Sequence, residues 1–124
     1  MQRILTLVVA FLTTAIVVTT ATVHLRLTDS APKKEQTVTE PPEEIRLWFS
    51  ERTSLPVSRL GLRGPDGDIS LGDIAATDDP KSFKAAVNDT LLPNTYTVTW
   101  RTAGDDGHIL RGEFTFTIAS ADRR

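Results

Sequence analysis

Two side chains of types that bind metal ions, an aspartate and a histidine, lie close together in a bend of this sequence. Asp106 and His108 are separated only by Gly107, in a bend between two stretches that alternate apolar and polar residues. Residues two apart in extended backbone project from the same face, so both side chains can contact one ion. Gly107 suits a tight turn with a positive φ. The alternative interpretation is an ordinary hairpin turn with an exposed histidine.

The only other histidine, His24, follows directly after the uncharged apolar stretch 4–23. With Arg3 before it, this stretch predicts a signal peptide over residues 1–23, with a retained membrane anchor as the alternative. Cleavage after Val23 would make His24 the first residue, so that its α-amine and imidazole could chelate one ion. Asp106 and His108 would complete three nitrogens and one oxygen, a ligand set that Cu(II) favours. We therefore predict one Cu(II) ion at His24, Asp106 and His108.

The position of cleavage decides which groups can bind the metal. A cut after Ala21 satisfies the preference for small residues better than one after Val23, and it would leave Thr22-Val23-His24 at the terminus. The amine, two backbone amides and the imidazole of that terminus could bind Cu(II) without Asp106 or His108. A retained leader would leave His24 without a free amine and would lower the affinity.

The elements that must position these residues show period-two alternation, which indicates half-buried antiparallel strands. Gly-Pro, Asp-Gly and Pro-Asn sequences punctuate them, as in an all-β protein. We predict an immunoglobulin-like Greek-key sandwich or barrel, with its core supplied mostly by Trp48, Trp100 and the phenylalanines. The alternating apolar positions are Ile45, Leu47, Phe49, Leu60, Leu62, Tyr96, Val98, Trp100, Phe114, Phe116 and Ile118.

Two segments lack this alternation. The polar, proline-containing segment 28–44 is interpreted as an extended surface segment, and the segment 71–87 is the only one that could contain a helical turn. Neither provides a boundary between domains. The remaining chain, 24–124, has the length of one ordinary domain.

Composition narrows the classes of function. The 124 residues carry a net charge of −2, and no lysine and arginine cluster of the kind that binds nucleic acid occurs along the chain. Cysteine is absent, which excludes thiolate metal ligands and a thiol nucleophile. No Ser-His-Asp set or glycine-rich phosphate loop is evident. These features favour a binding protein over an enzyme.

Three stretches resemble the exported copper-binding proteins of the CopC copper-resistance family. The first is HLRLTDSAP at 24–32, the second is EIRLWFSE at 44–51, and the third is YTVTWR at 96–101 followed by the Asp-Gly-His bend, Gly112 and Phe116. The bend departs from the family pattern at Gly104, Asp105 and Ile109. Asp105 adds a second carboxylate that could compete for the same cation.

The resemblance implies an immunoglobulin-like β-barrel in which His24, Asp106 and His108 bind one Cu(II) ion. It also implies a periplasmic or otherwise extracytoplasmic monomer that sequesters copper or delivers it to an inner-membrane copper transporter. Several members hold Cu(I) in a methionine-rich loop, but Met1 is the only methionine here, so no Cu(I) site is expected. Two alternatives remain open: an adhesion or spacer module without specific metal binding, and a copper oxygenase with an N-terminal histidine.

Overall fold

The computed structural model describes residues 14–17 and 24–120. Residues 14–17 are irregular and exposed, and the remainder of the predicted leader lies outside the described residues. Within these ranges no helix has the length and apolar character needed to cross a membrane. Residues 24–120 form two β-sheets, which confirms the predicted all-β sandwich.

The smaller sheet has four strands and the larger has five. The order in the smaller sheet is β1 (Leu27–Ala31), β3 (Glu44–Phe49), β7 (Ser82–Ala86) and β6 (Ala75–Ala76). The order in the larger sheet is β2 (Thr37–Val38), β9 (Ile109–Ile118), β8 (Asn94–Ala103), β4 (Arg59–Gly64) and β5 (Gly67–Ile69). All neighbours are antiparallel except β2 and β9, which are parallel.

The core lies between the two sheets and follows the predicted alternation. Its buried members are Ile45, Leu47, Phe49, Leu62, Phe83, Leu91, Tyr96, Val98, Trp100, Phe114, Phe116 and Ile118. Trp48 is not among them, so its predicted place in the core is wrong. It alternates with the buried Leu47 and Phe49 and is half-buried on the outer face, where the Arg46 guanidinium lies 4.5 Å from the centre of its ring.

The two segments without alternation contain more β-structure than predicted. The segment 28–44 includes most of β1 and all of β2, and β1 pairs with β3 through a bulge between Leu27 and Asp29. This bulge disrupts the period-two pattern that reveals other strands in the sequence. The segment 71–87 contains β6 and β7 rather than a helical turn. A single turn of 3₁₀ helix occurs instead at Leu55–Val57, where proline occupies an early position.

Two buried hydroxyl groups connect the 3₁₀ turn to β8. Ser58 Oγ donates to Ser54 O at 2.7 Å, and it lies 2.7 Å from Thr102 Oγ1. Ser58 has one hydroxyl proton, already donated to Ser54, so Thr102 is the donor in the second bond. We expect Thr102→Val to lower the free energy of unfolding by about 1 kcal/mol, because it removes this donor at nearly constant volume. Urea denaturation measures the change.

Thr53→Val is the matched control for that substitution. Thr53 Oγ1 is also buried, but it has no hydrogen-bond partner. Replacing it with a methyl group should therefore leave stability unchanged or raise it. An equal loss of stability in both variants would contradict the assigned role of the Ser58–Thr102 bond.

Candidate metal centre

The hairpin formed by β8 and β9 positions the Asp-Gly-His bend. Its strands remain in register over ten residue pairs, ending at Ala103 opposite Ile109. The N–H of Gly107 donates to Gly104 O at 3.1 Å, which closes a tight turn. Gly107 has a φ of 76°, in the left-handed region that favours glycine. The predicted turn is confirmed, and it holds Asp106 and His108 at one end of the sandwich.

Asp106 and His108 form a hydrogen-bonded pair in this turn. The backbone N–H of His108 donates to Asp106 Oδ1 at 3.1 Å, and His108 Nδ1 lies 3.0 Å from Asp106 Oδ2. The backbone hydrogen bond is the main cause of a lowered pKa of the Asp106 carboxyl group, followed by the bond to the imidazole. Asp106 is therefore an anion at neutral pH. A proton on Nδ1 would leave Nε2 as the free electron-pair donor of the ring.

His24 reaches the same end of the sandwich through β1. The N–H of Arg26 donates to Ser50 Oγ at 3.0 Å, and the N–H of Ser50 donates to Arg26 O at 2.9 Å. Four residues further on, the N–H of Ser54 donates to Ala103 O at 2.9 Å, immediately before the hairpin turn. The segment 50–54 thus ties the start of the smaller sheet to the end of β8. It thereby brings His24 to the end of the sandwich that carries Asp106 and His108.

All three predicted ligands line one small cavity of about 80 Å³, with Leu25, Ile109 and Leu110 as its apolar walls. They do not form a closed metal site in this conformation. Within residues 14–17 and 24–120, no group of three or more His, Asp or Glu side chains is arranged to hold a metal ion. The side chains of Asp106 and His108 are 64% and 90% exposed. This exposure leaves space for the pair to meet an ion from solvent.

The neighbouring carboxylates differ in their relation to this cavity. Asp105 lines a separate cavity with Ser54 and Ala103, and it is not among the residues that line the cavity of His24. Glu51 lies near Asp106, since a Cβ built on Gly104 would be 3.2 Å from Glu51 Oε2 and 3.9 Å from Asp106 Oδ1. Spacing in the sequence did not identify Glu51 as a neighbour, because it follows β3 in the other sheet. It adds negative charge beside the predicted ligands.

Comparison with known proteins places this fold and sequence in one family. Residues 27–119 match the family profile described as the CopC domain. The chain belongs to the CopC family. The match covers most of the described sandwich, including both strands of the hairpin that carries the Asp-Gly-His turn.

Two relatives from Escherichia coli align with most of the chain. Protein YobA of Escherichia coli K12 is 33% identical over 118 residues, which span 94% of this chain and 95% of YobA. Copper resistance protein C of Escherichia coli is 33% identical over 106 residues, spanning 79% of this chain and 83% of that protein. Each alignment therefore extends over most of the chain and is not limited to one shared motif.

Solved structures of CopC proteins have the same fold. PcoC, a methionine-rich copper resistance protein from Escherichia coli, superimposes with a TM-score of 0.69 at 31% identity, covering 77% of this chain and 99% of PcoC. CopC from Methylosinus trichosporium OB3b gives a TM-score of 0.72 at 22% identity, covering 82% and 99% of the two chains. The similarity to the Methylosinus protein, at 22% identity, supports a shared fold alone.

Proposed function

We propose that this protein binds one Cu(II) ion outside the cytoplasm, through the imidazoles of His24 and His108 and the carboxylate of Asp106. The observation that carries the proposal is that His24, distant in sequence from Asp106 and His108, lines one small cavity with them at the end of the sandwich. In its mature form the protein would begin at His24, whose α-amine would supply a further nitrogen ligand.

The chemistry of the available donors supports Cu(II) as the cargo. The chain has no cysteine, and Met1 is its only methionine, so nitrogen and oxygen are the donors near the cavity. Imidazole, amine and carboxylate groups suit a tetragonal Cu(II) site, whereas Cu(I) prefers sulfur. The anionic Asp106 pairs with His108 and directs the ring. The carboxylate oxygens of Asp106 each keep a further lone pair with which to bind the ion, since a carboxylate offers about four acceptor positions.

Family membership supports a role in handling copper. One relative is named a copper resistance protein, as is the methionine-rich PcoC. We infer that the protein sequesters Cu(II) in the periplasm or delivers it to an inner-membrane copper transporter. We assign it no enzymatic reaction. Because Met1 precedes the predicted cleavage site, we propose a carrier of Cu(II) alone.

The decisive experiment combines intact mass with a copper titration. The protein is isolated from its native export compartment, its mass is determined, and Cu(II) is added while tryptophan fluorescence and visible absorption are followed. We expect a mass that begins at His24 and tight binding of one ion. Tryptophan is a suitable reporter, because Trp100 lies in β8, the strand that leads into the Asp-Gly-His turn.

Three other outcomes would contradict parts of the proposal. A mass beginning at Thr22, with binding unaffected by Asp106→Ala, would indicate an amino-terminal copper motif made of the amine, two amides and His24. An uncleaved leader with tight binding would show that the free amine is not required. Binding no tighter than that of an exposed histidine peptide would favour the spacer or adhesion interpretation.

A further inference from the structure

Three arginines form an in-register row on the outer face of the larger sheet. Arg59 of β4 lies opposite Arg101 of β8, and Arg101 lies opposite Arg111 of β9. Their neighbours along the strands, Leu60, Trp100 and Leu110, belong to or pack against the core, so the arginines face outward. Like charges directly opposite each other destabilise a sheet. The row is therefore a feature that stability alone does not explain.

Among the residues that the structure describes, these arginines have no acidic partner. None of the ion pairs formed among the described residues includes Arg59, Arg101 or Arg111. On the same face, Glu113 lies in the next row opposite Thr99, and Asp68 lines a separate depression. The protein nevertheless has a net negative charge, so acidic residues are available elsewhere in the chain. The row is a local concentration of positive charge.

Backbone carbonyls orient two of the three guanidinium groups. Arg59 Nη1 donates to Pro56 O at 3.2 Å and to Ser58 O at 2.7 Å, while Arg101 Nε donates to Val57 O at 3.3 Å. A guanidinium has five N–H donors, so most of those of Arg101 remain available. Holding the groups in place reduces the entropy that a ligand must overcome on binding.

A groove lies beside the row. Arg59, Arg101 and Arg111 line a cavity of about 360 Å³ together with Gly61 and Thr99 of the adjacent row. Gly61 leaves this space open, and a Cβ there would lie 2.5 Å from Thr99 Oγ1. The row crosses three strands, so its ends are about 10 Å apart. One sulfate or phosphate ion cannot span that length.

We propose that this arginine row is the docking site for an acidic segment of a protein partner. Carboxylates pair with guanidinium groups in a bidentate manner, and alternate side chains of an extended peptide are about 7 Å apart. Two carboxylates can thus contact separate arginines. The row is two residue pairs from the end of the β8–β9 hairpin. A docked partner would lie beside the turn that carries His108, but the inference holds whether or not that turn binds copper.

Fluorescence anisotropy of a labelled octapeptide of alternating Glu and Ser tests this inference. The metal-free protein, purified from its native compartment, is titrated at low ionic strength. Replacing both Arg101 and Arg111 with Gln should raise the Kd about tenfold, and about 200 mM NaCl should weaken binding to the unaltered protein. Arg111→Gln alone should weaken binding while preserving or raising the Tm, because it relieves repulsion within the row.

Arg63→Gln is the matched control, since it removes one positive charge from the same face outside the row. It should change the Kd by less than about twofold. Equal weakening by Arg63→Gln and Arg111→Gln, or equal binding of a Gln-containing peptide, would overturn the proposal. So would displacement of the peptide by equimolar sulfate, which would indicate a simple oxyanion site. Row-dependent binding to phosphatidylglycerol vesicles without peptide binding would instead indicate a membrane surface.

Discussion

His108→Ala is expected to abolish tight Cu(II) binding while leaving the fold intact. The substitution removes one imidazole ligand and the group with which Asp106 is paired, and affinity should fall by more than about 100-fold. The side chain is 90% exposed, so its loss creates no cavity and should not change the Tm. Isothermal titration with Cu(II), in competition with a chelator of known affinity, measures the loss.

Asp105→Ala provides the matched control for His108→Ala. Asp105 belongs to the same turn and carries the same charge as Asp106, but it lines the neighbouring cavity. Its removal should change copper affinity by less than about threefold, through the loss of long-range attraction alone. Asp106→Ala should give an intermediate loss. If His108→Ala retained the affinity of the unaltered protein, the ligands would have to be sought at the amino terminus.

Gly112→Ala is expected to lower the free energy of unfolding by about 3 kcal/mol, through overpacking against Trp100. Gly112 lies directly opposite Trp100 in the β8–β9 register. An added Cβ would be 2.3 Å from Trp100 Cζ2 and 2.6 Å from Cε2, which is shorter than any tolerated contact. The indole cannot easily withdraw, because it packs edge-on against Phe49 with ring centres 5.2 Å apart.

Gly61→Ala separates this steric effect from the general effect of replacing a strand glycine. The Cβ at position 61 would also meet an atom closely, but that atom is the Thr99 hydroxyl on the open outer face. The hydroxyl can move by rotation about χ1, so we expect a loss of less than about 1 kcal/mol. Equal losses in the two variants, measured by urea denaturation, would show that the indole is not the cause.

The fold was predictable where one face of a strand is buried. The positions Ile45, Leu47 and Phe49 alternate strictly, and all three are buried. Other strands could not be predicted, because the alternation of apolar and polar residues is weak or too short there. The bulge in β1 interrupts its alternation, and β6 has only two residues. The prediction for Trp48 is wrong because an indole within an apolar run is typical of a core residue. Here the side chain lies on the outer face, where Arg46 covers it.

The part of the candidate site that is local in sequence could be predicted. Asp106 and His108 are two residues apart, and the turn preference of Gly107 follows from local sequence. The proximity of Glu51 to Gly104 depends on how the loop after β3 packs against β8, and no local pattern encodes that contact. Similarly, the arginines at 59, 101 and 111 are dispersed along the chain. Only the strand register brings them into a row.

The outer strands of both sheets have a consequence for behaviour at high concentration. β2 and β6 have two residues each and β5 has three, while the remaining outer strand, β1, is interrupted by its bulge. Long, regular outer strands offer unpaired backbone groups to which another chain can add. These four provide little such backbone. The N-terminal part of β9 is different, because β2 pairs with β9 only at Thr117 and Ile118. Strand addition by another copy at high concentration would therefore start at that part of β9.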